Sequence, residues 1–449
     1  NVSVISTNSV SYGVYASSDY VTISSVNVDA GGNVTQAGVL ITSYSSISNS
    51  SVTVSDAYGF YLAGGRNLVV QSTGSAASVN GGAYSSNGNN NTLTQSYLFN
   101  SAGNGVSLGS TSNLHVISLS KLEVLYAAGR YALYMNGPSS TLVTQSTITS
   151  PNGNGVIMFG NASNNTISLS TITANLSGGA AVYMGWATSN TITQTAMTNL
   201  PGEAVHFEVG TASTTISSSL ITSKSSWAAL KVLGTSNTVT GSFISNSLGY
   251  GALFNSGAHF NTIALSTVTS GASTLPAIWI DGSSSNTIMS SYVQGSTAVY
   301  VSGSTSTIIG DSVLIATNTI GNAVYLSSGS VNFTLSSSTL QGGVSASAIR
   351  LETGNSGVLR VSSNTILGGS YGLFIATQAP GLYSLSATSL TFAGGLTAGD
   401  TAIHFAGGTF TSTFTTVGFN DANIAVDVNG APLDTASRIT MTGYSGPKS

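Results

Sequence analysis

The sequence contains no cysteine, which excludes a disulfide framework and thiolate chemistry and suits an extracellular life among oxidants with no free thiol to protect. Charge is almost as scarce. Charged residues make up 5% of the 449 residues, with Lys+Arg 9 against Asp+Glu 13 and a net charge of −4, where a soluble domain carries about 25%. So few basic residues cannot form the phosphate-neutralising footprint of a nucleic-acid binder or a polybasic membrane patch. No apolar run approaches the roughly 18 to 20 residues of a membrane span. The chain begins at Asn1, with neither Met nor a signal-peptide pattern, and enters fold-like sequence at once.

What the sequence has is periodicity. The 53 glycines and many Ser, Thr and Asn resemble a disordered composition, yet Val, Ile, Leu, Tyr and Phe recur on schedule. An Asn-Thr-aliphatic block begins at Asn165, Asn190, Asn237, Asn261 and Asn286, with Thr214-Thr215-Ile216 in register between the second and third, in steps of 25, 24, 23, 24 and 25 residues. Weaker copies lie at Asn91-Thr92-Leu93, Thr141-Leu142-Val143, Ser306-Thr307-Ile308 and Phe333-Thr334-Leu335. Within one period, Thr166-Ile167-Ser168, Thr171-Ile172-Thr173 and Ala181-Val182-Tyr183-Met184 alternate apolar and polar with Gly, Asn and Ser between them, the mark of short strands rather than helices.

These features predict an all-β, single-domain parallel β-helix with three strands per coil. At about 24 residues per coil and about 4.8 Å between strands, the chain makes about 18 coils and a rod of roughly 85 to 90 Å. Residues 1–449 read as one continuous domain, with 430–449 a less regular C-terminal end. The expected inward columns are Ile167, Ile192, Ile216, Val239, Ile263, Ile288 and Ile308 for the first strand, and Ile172, Met197, Ile221, Ile244, Val268 and Val293 for the second. The repeats, Asn-Thr-Ile followed by Ser-Thr-Ile-Thr and a Gly/Ala-Val-x-aliphatic strand, resemble the right-handed parallel β-helix repeats of the pectate-lyase-like superfamily, particularly secreted bacterial repeat proteins. That resemblance covers nearly the whole chain and implies the right-handed fold. Since the superfamily includes polysaccharide lyases and hydrolases, phage tailspikes, adhesins and passive surface proteins, it does not select a function.

The Asn column, Asn91, Asn165, Asn190, Asn237, Asn261 and Asn286, is expected to be structural, with αL turns and amides bonding coil to coil, rather than a ligand track. The sequons at Asn33, Asn90, Asn161, Asn164, Asn175 and Asn332 arise readily by chance in such a composition, and glycosylation stays open. An outward Thr column, Thr166, Thr191, Thr215, Thr238, Thr262, Thr287 and Thr307, resembles the ice-binding face of some solenoids. Its companion position drifts to Ala264, Met289 and Ile309, which favours a plain soluble strand face.

The third strand is the most informative. Its expected outward column reads Tyr134, Met158, Tyr183, His206, Lys231, Phe254, Trp279, Tyr300, Tyr325, Arg350, Phe374, His404 and Asp427, preceded by Tyr15 and Tyr61. Rings on one face can stack on sugars or pack against another protein, or they can simply stabilise the ladder. Among charged groups, Glu208 and Asp281 lie three coils apart, about 14 Å, too far to share a glycosidic bond at about 5 to 9.5 Å. The nearest approach to a catalytic cluster is Glu203, His206, Glu208 and Lys231. The histidines His115, His206, His259 and His404 are scattered and no Cys joins them, so neither a Ser-His-Asp arrangement nor a zinc site is expected, and no cofactor is implied.

The leading expectation is a secreted or cell-surface structural or adhesive rod, binding a partner or extracellular glycan through the aromatic face. The alternatives are a polysaccharide lyase or glycoside hydrolase and, last, an ice binder. Strand-like sequence at both ends, Val2-Ser3-Val4-Ile5 and Arg438-Ile439-Thr440-Met441-Thr442, shows no cap. A chain of this kind is expected to be part of a longer protein or to self-associate, for instance into a filament.

Overall fold

The computed structural model describes residues 2–79, 81–110, 112–125, 129–327, 329–376, 383–393, 401–406, 411–419, 424–428 and 438–442. Two compact units, Asn1–Lys224 and Ser225–Ser449, are each an all-β parallel solenoid, and together they hold about 16 turns, close to the 18 expected. Among the described residues there is no helix, and therefore none long and apolar enough to cross a membrane.

In the first unit a typical coil consists of strands Thr166–Ser168, Thr171–Ala174 and Ala180–Gly185. Like residues stack in register: Ile167 on Ile192 and Ile192 on Ile216 in the first strand, Ile172 on Met197 and Met197 on Ile221 in the second. Every one of them is fully buried, as expected, and each such side chain contributes roughly 1.5 to 3 kcal/mol of burial.

The corners account for the polar composition. Between the first and second strands one residue takes φ near +50°, as Leu169 does at 49°. The next is a buried Ser such as Ser170, whose hydroxyl accepts the amide of Ser146 at 3.1 Å and donates to the carbonyl of Ser168 at 2.7 Å. Repeated at Ser72, Ser96 and Ser120, this makes the abundance of serine a requirement of the turn, since a buried amide left without an acceptor costs about 1 to 3 kcal/mol.

At the corner before the first strand stands the Asn column. Asn165 accepts the amide of Thr141 at 2.8 Å and donates from Nδ2 to Asn190 Oδ1 at 3.0 Å. The ladder is as expected but the αL assignment is displaced by one: the positive φ belongs to the preceding residue, Asn164 at 54° and Ser189 at 56°, which leaves the Asn side chain pointing inward.

The third strand has a step that strand alternation does not anticipate. In Tyr131-Ala132-Leu133-Tyr134 the two middle residues are both buried, and the outer two meet on the surface with rings 5.4 Å apart. The second position must be small: a Cβ on Gly155, its equivalent one coil later, would lie 2.6 Å from Ile172 Cγ2 and 2.7 Å from the Ala181 carbonyl. Glu203-Ala204-Val205-His206 repeats the step with both middle residues fully buried.

The second unit repeats the plan. Val239 stacks on Ile263 and Ile263 on Ile288, while the buried serines Ser242, Ser266, Ser291, Ser312 and Ser338 form an unbroken ladder. One register differs from expectation. Ile309, not Ile308, pairs with Ile288 and is buried, while Ile308 faces outward at 39% exposure and Thr307 is buried. Strand Val2–Val4 pairs with Val26–Val28 in the first unit, and Arg438–Thr442 pairs with Thr411–Thr415 in the second. Of the expected irregular end, 430–449, only 438–442 lies within the described residues.

Candidate functional site

The third strands of the first unit carry the outward column Tyr15, Leu40, Tyr61, Ser85, Ser107, Tyr134, Ile157, Tyr183 and His206. Those of the second carry Lys231, Leu253, Trp279, Tyr300, Tyr325, Arg350, Phe374, His404 and Asp427. Two expected members are inward instead. Met158 and Phe254 are buried at 0% and 2% exposure, and their places in the column, in register with Tyr134 and Trp279, are taken by Ile157 and Leu253, which are themselves nearly covered. In each pair two large apolar residues are adjacent, and alternation alone cannot say which faces the core.

Beside this column runs a second that the sequence reading missed. Because of the step in the third strand, the residue three positions earlier joins the same face. Tyr12 stacks on Tyr15 at 4.8 Å, Tyr58 meets Tyr61 at 5.2 Å, and Tyr371 meets Phe374 at 5.4 Å. The recurring Tyr-(Gly/Ala)-apolar-aromatic pattern was the available signal. Strand alternation, which sets positions i and i+3 on opposite faces, conceals it.

The paired columns enclose clefts. In the first unit a cleft of about 550 Å³ between Tyr12, Tyr58 and Tyr61 shares Tyr58 and Gly81 with one of about 340 Å³ that reaches Arg130 and Tyr134. That second cleft shares Tyr134 with a third, of about 390 Å³, ending at Tyr183. In the second unit Tyr250, Trp279, Tyr300 and Tyr325 wall a cleft of about 400 Å³. Successive rings lie 5.2, 5.9 and 5.0 Å apart.

Of the expected charged cluster, Glu203, His206 and Glu208 come together within the first unit. His206 is buried, with Nδ1 2.9 Å from Glu203 Oε2 and Nε2 3.2 Å from Glu208 Oε2. The first contact is a hydrogen bond; the second is close but not aligned as one. Tyr183 donates its hydroxyl to Glu208 Oε2 at 3.4 Å, and burial, reinforced by the Glu208 charge, pushes its pKa up to about 12. Tyr183 therefore stays protonated near neutrality and can donate but not accept a proton. Lys231 belongs to the second unit, where its Nζ lies 5.8 Å from the Trp227 ring centroid. Farther along that unit, Arg350 holds Glu352 at 2.5 Å and lies 4.7 Å from the centre of the Phe374 ring. Among the described residues no three His, Asp or Glu side chains gather as a metal site.

The Thr column is interrupted. Leu68 and Val116 flank Thr92, and Leu142 precedes Thr166. Its companion hydroxyls bond one another coil to coil, Ser168 to Thr144 at 3.0 Å and Ser217 to Thr193 at 2.9 Å, rather than standing free toward solvent.

The family model described as a right-handed beta helix region matches residues 119–230. The fold is a right-handed parallel β-helix. Among solved structures this β-helix is similar to the A-module of mannuronan C-5 epimerase AlgE4 of Azotobacter vinelandii, at 11% identity and a TM-score of 0.41 over 78% of this chain and 91% of that chain. It is also similar to PfbA, a surface adhesin of Streptococcus pneumoniae, at 10% identity and a TM-score of 0.29 over 68% of this chain and 82% of that chain. No curated protein matches. At these identities the likeness concerns the β-helix alone, and the chemistry rests on the chain's own side chains.

Proposed function

We propose that this β-helix is a secreted or surface-exposed solenoid that binds an extended glycan along the face of its third strands. The observation that carries the reading is the double column of side chains. Residues three apart converge to make walled clefts, and in the first unit three clefts adjoin end to end. Rings that served only to stabilise the ladder would lie in single file, as cross-strand pairs do. Paired rings with a polar rim give a sugar both an apolar face and hydroxyl partners. The absence of cysteine and the low charge support an extracellular place. Affinity electrophoresis of the full chain through gels holding neutral or acidic polysaccharides tests the reading. Retardation in at least one gel, reduced in Tyr58→Ala and Tyr131→Ala, is expected. Equal mobility in every gel, with self-association in light scattering instead, would replace the glycan by a second copy of the chain.

The second reading is an enzyme, a lyase or hydrolase, and one observation favours it. His206 is held by Glu203 beside Glu208 and Tyr183 at the end of the clefts, so a group able to take a proton stands next to one that can only give it. Release of reducing ends or of unsaturated uronic products from any bound polysaccharide, lost in His206→Ala while retardation persists, would establish this reading over pure binding.

A further inference from the structure

We infer that the cleft between Tyr250, Trp279, Tyr300 and Tyr325 is a subsite for an uncharged sugar chain; the inference rests on the glycan-binding reading and names its chemical class. Two features of the second unit carry it. First, the walls are aromatic, Trp279 standing between Tyr250 at 5.2 Å and Tyr300 at 5.9 Å. The rim is uncharged, with Asn318 and Asn322 among its residues, so ring faces and amides converge on about 400 Å³, a volume in the range of small-ligand sites.

Second, the electrostatics disfavour a polyuronate. No Lys, Arg or His lines the cleft. Asp281, two residues from Trp279 on the same strand, is close enough to raise the Tyr250 pKa after burial itself. At the other end Arg350 is occupied by Glu352 at 2.5 Å, and Glu352 also accepts the Tyr325 hydroxyl at 3.3 Å. A carboxylated sugar would meet the Asp281 charge with no cation in the lining of the cleft to offset it, whereas an uncharged sugar meets no such penalty.

The test uses the full chain carrying Trp186→Phe and Trp227→Phe. Both replaced indoles are exposed, and Trp279 then remains as the sole tryptophan of the three. Its emission is followed during titration with hexasaccharides of neutral sugars (glucose, xylose, mannose or N-acetylglucosamine) and of acidic ones (galacturonate or mannuronate). A saturable emission change with at least one neutral series and none with the acidic series is expected. In the wild-type background, Tyr300→Ala should weaken that affinity by about tenfold, as loss of one stacked ring implies, while the thermal midpoint confirms folding. Acidic chains binding as tightly as neutral ones would overturn the inference. So would retention of the full chain in a polysaccharide gel with no response from Trp279, which leaves glycan binding standing elsewhere on the face. Failure in every gel and every titration would remove both.

Discussion

In the first unit the Asn ladder passes through a residue that titrates. Asn67 gives its backbone amide to Asn91 Oδ1 at 2.7 Å, and Asn91 gives its own to His115 Nδ1 at 3.2 Å. His115 is 2% exposed, its Nε2 is buried without a partner, and burial pushes its pKa down to about 4 from 6.5. Because the folded value lies below the unfolded one, the unfolded chain takes up the proton first as the pH falls. The neutral imidazole is fully compatible with the fold above about pH 6.5, and stability drains away between there and about pH 4. Linkage with these two values gives a loss of about 2.5 kcal/mol between pH 7.5 and pH 4.5 from this one group. In His115→Asn the amide oxygen can accept the Asn91 amide as its neighbours do, and nothing on the rung titrates. Urea denaturation of both proteins at pH 7.5 and 4.5, followed by near-ultraviolet circular dichroism, isolates the effect, since all other titrating groups are common to both. The variant should match the wild type at pH 7.5 and exceed it by about 2 to 2.5 kcal/mol at pH 4.5. An equal loss in both proteins, within about 0.5 kcal/mol, would show that the ladder does not hold His115 neutral.

Other substitutions test the architecture. Ile216→Ala should cost about 2 to 5 kcal/mol, because Ile216 is fully buried, whereas Thr215→Ala on the outer face should cost under about 0.5 kcal/mol; equal midpoints in urea would mean the inward and outward registers are reversed. Asn261→Ala removes the acceptor of the Asn237 amide at 2.9 Å and a donor to the Gly234 carbonyl at 3.0 Å. It should lower stability by roughly 1 to 3 kcal/mol, and Asn261→Asp should recover only the acceptor part. Gly249→Ala would place a Cβ 1.9 Å from the Trp227 carbonyl oxygen. Calorimetry should show a loss of at least about 1 to 3 kcal/mol, and an unchanged midpoint would mean that the backbones do not approach so closely.

Much of this was legible beforehand where one residue type admits one role. A lone Ile between two hydroxyl residues, as in Thr166-Ile167-Ser168, has one way to face, and the inward columns through Ile192, Ile216 and Ile263 are where alternation puts them. The reading failed where two apolar residues adjoin, at Ile157-Met158, Leu253-Phe254 and Ile308-Ile309. There the choice is made by the pairing partner one coil away, Tyr134, Trp279 and Ile288 respectively. The clefts were less legible than the core for a related reason. Their second wall depends on a small residue packed against the second strand, as at Gly251, whose added Cβ would lie 2.6 Å from Val268 Cγ1. That contact converts a three-residue spacing into a shared face.

The uneven length of the coils has a consequence of its own. Rungs of identical Ile, Ser and Asn would be nearly as well satisfied if a coil zipped onto the wrong neighbour, so uniform repetition leaves the chain many competing frames of almost equal energy. The spacing is not uniform: Ser45 to Asn67 spans 22 residues, Asn67 to Asn91 spans 24, and Ser120 to Ser146 spans 26. A coil displaced by one frame would bring its three corners to rungs of different length and set His115 or Thr141 where an Asn is needed. The departures from the repeat thus act as address labels, and a consensus version with all coils equalised should gain stability while folding into a mixture of slipped forms.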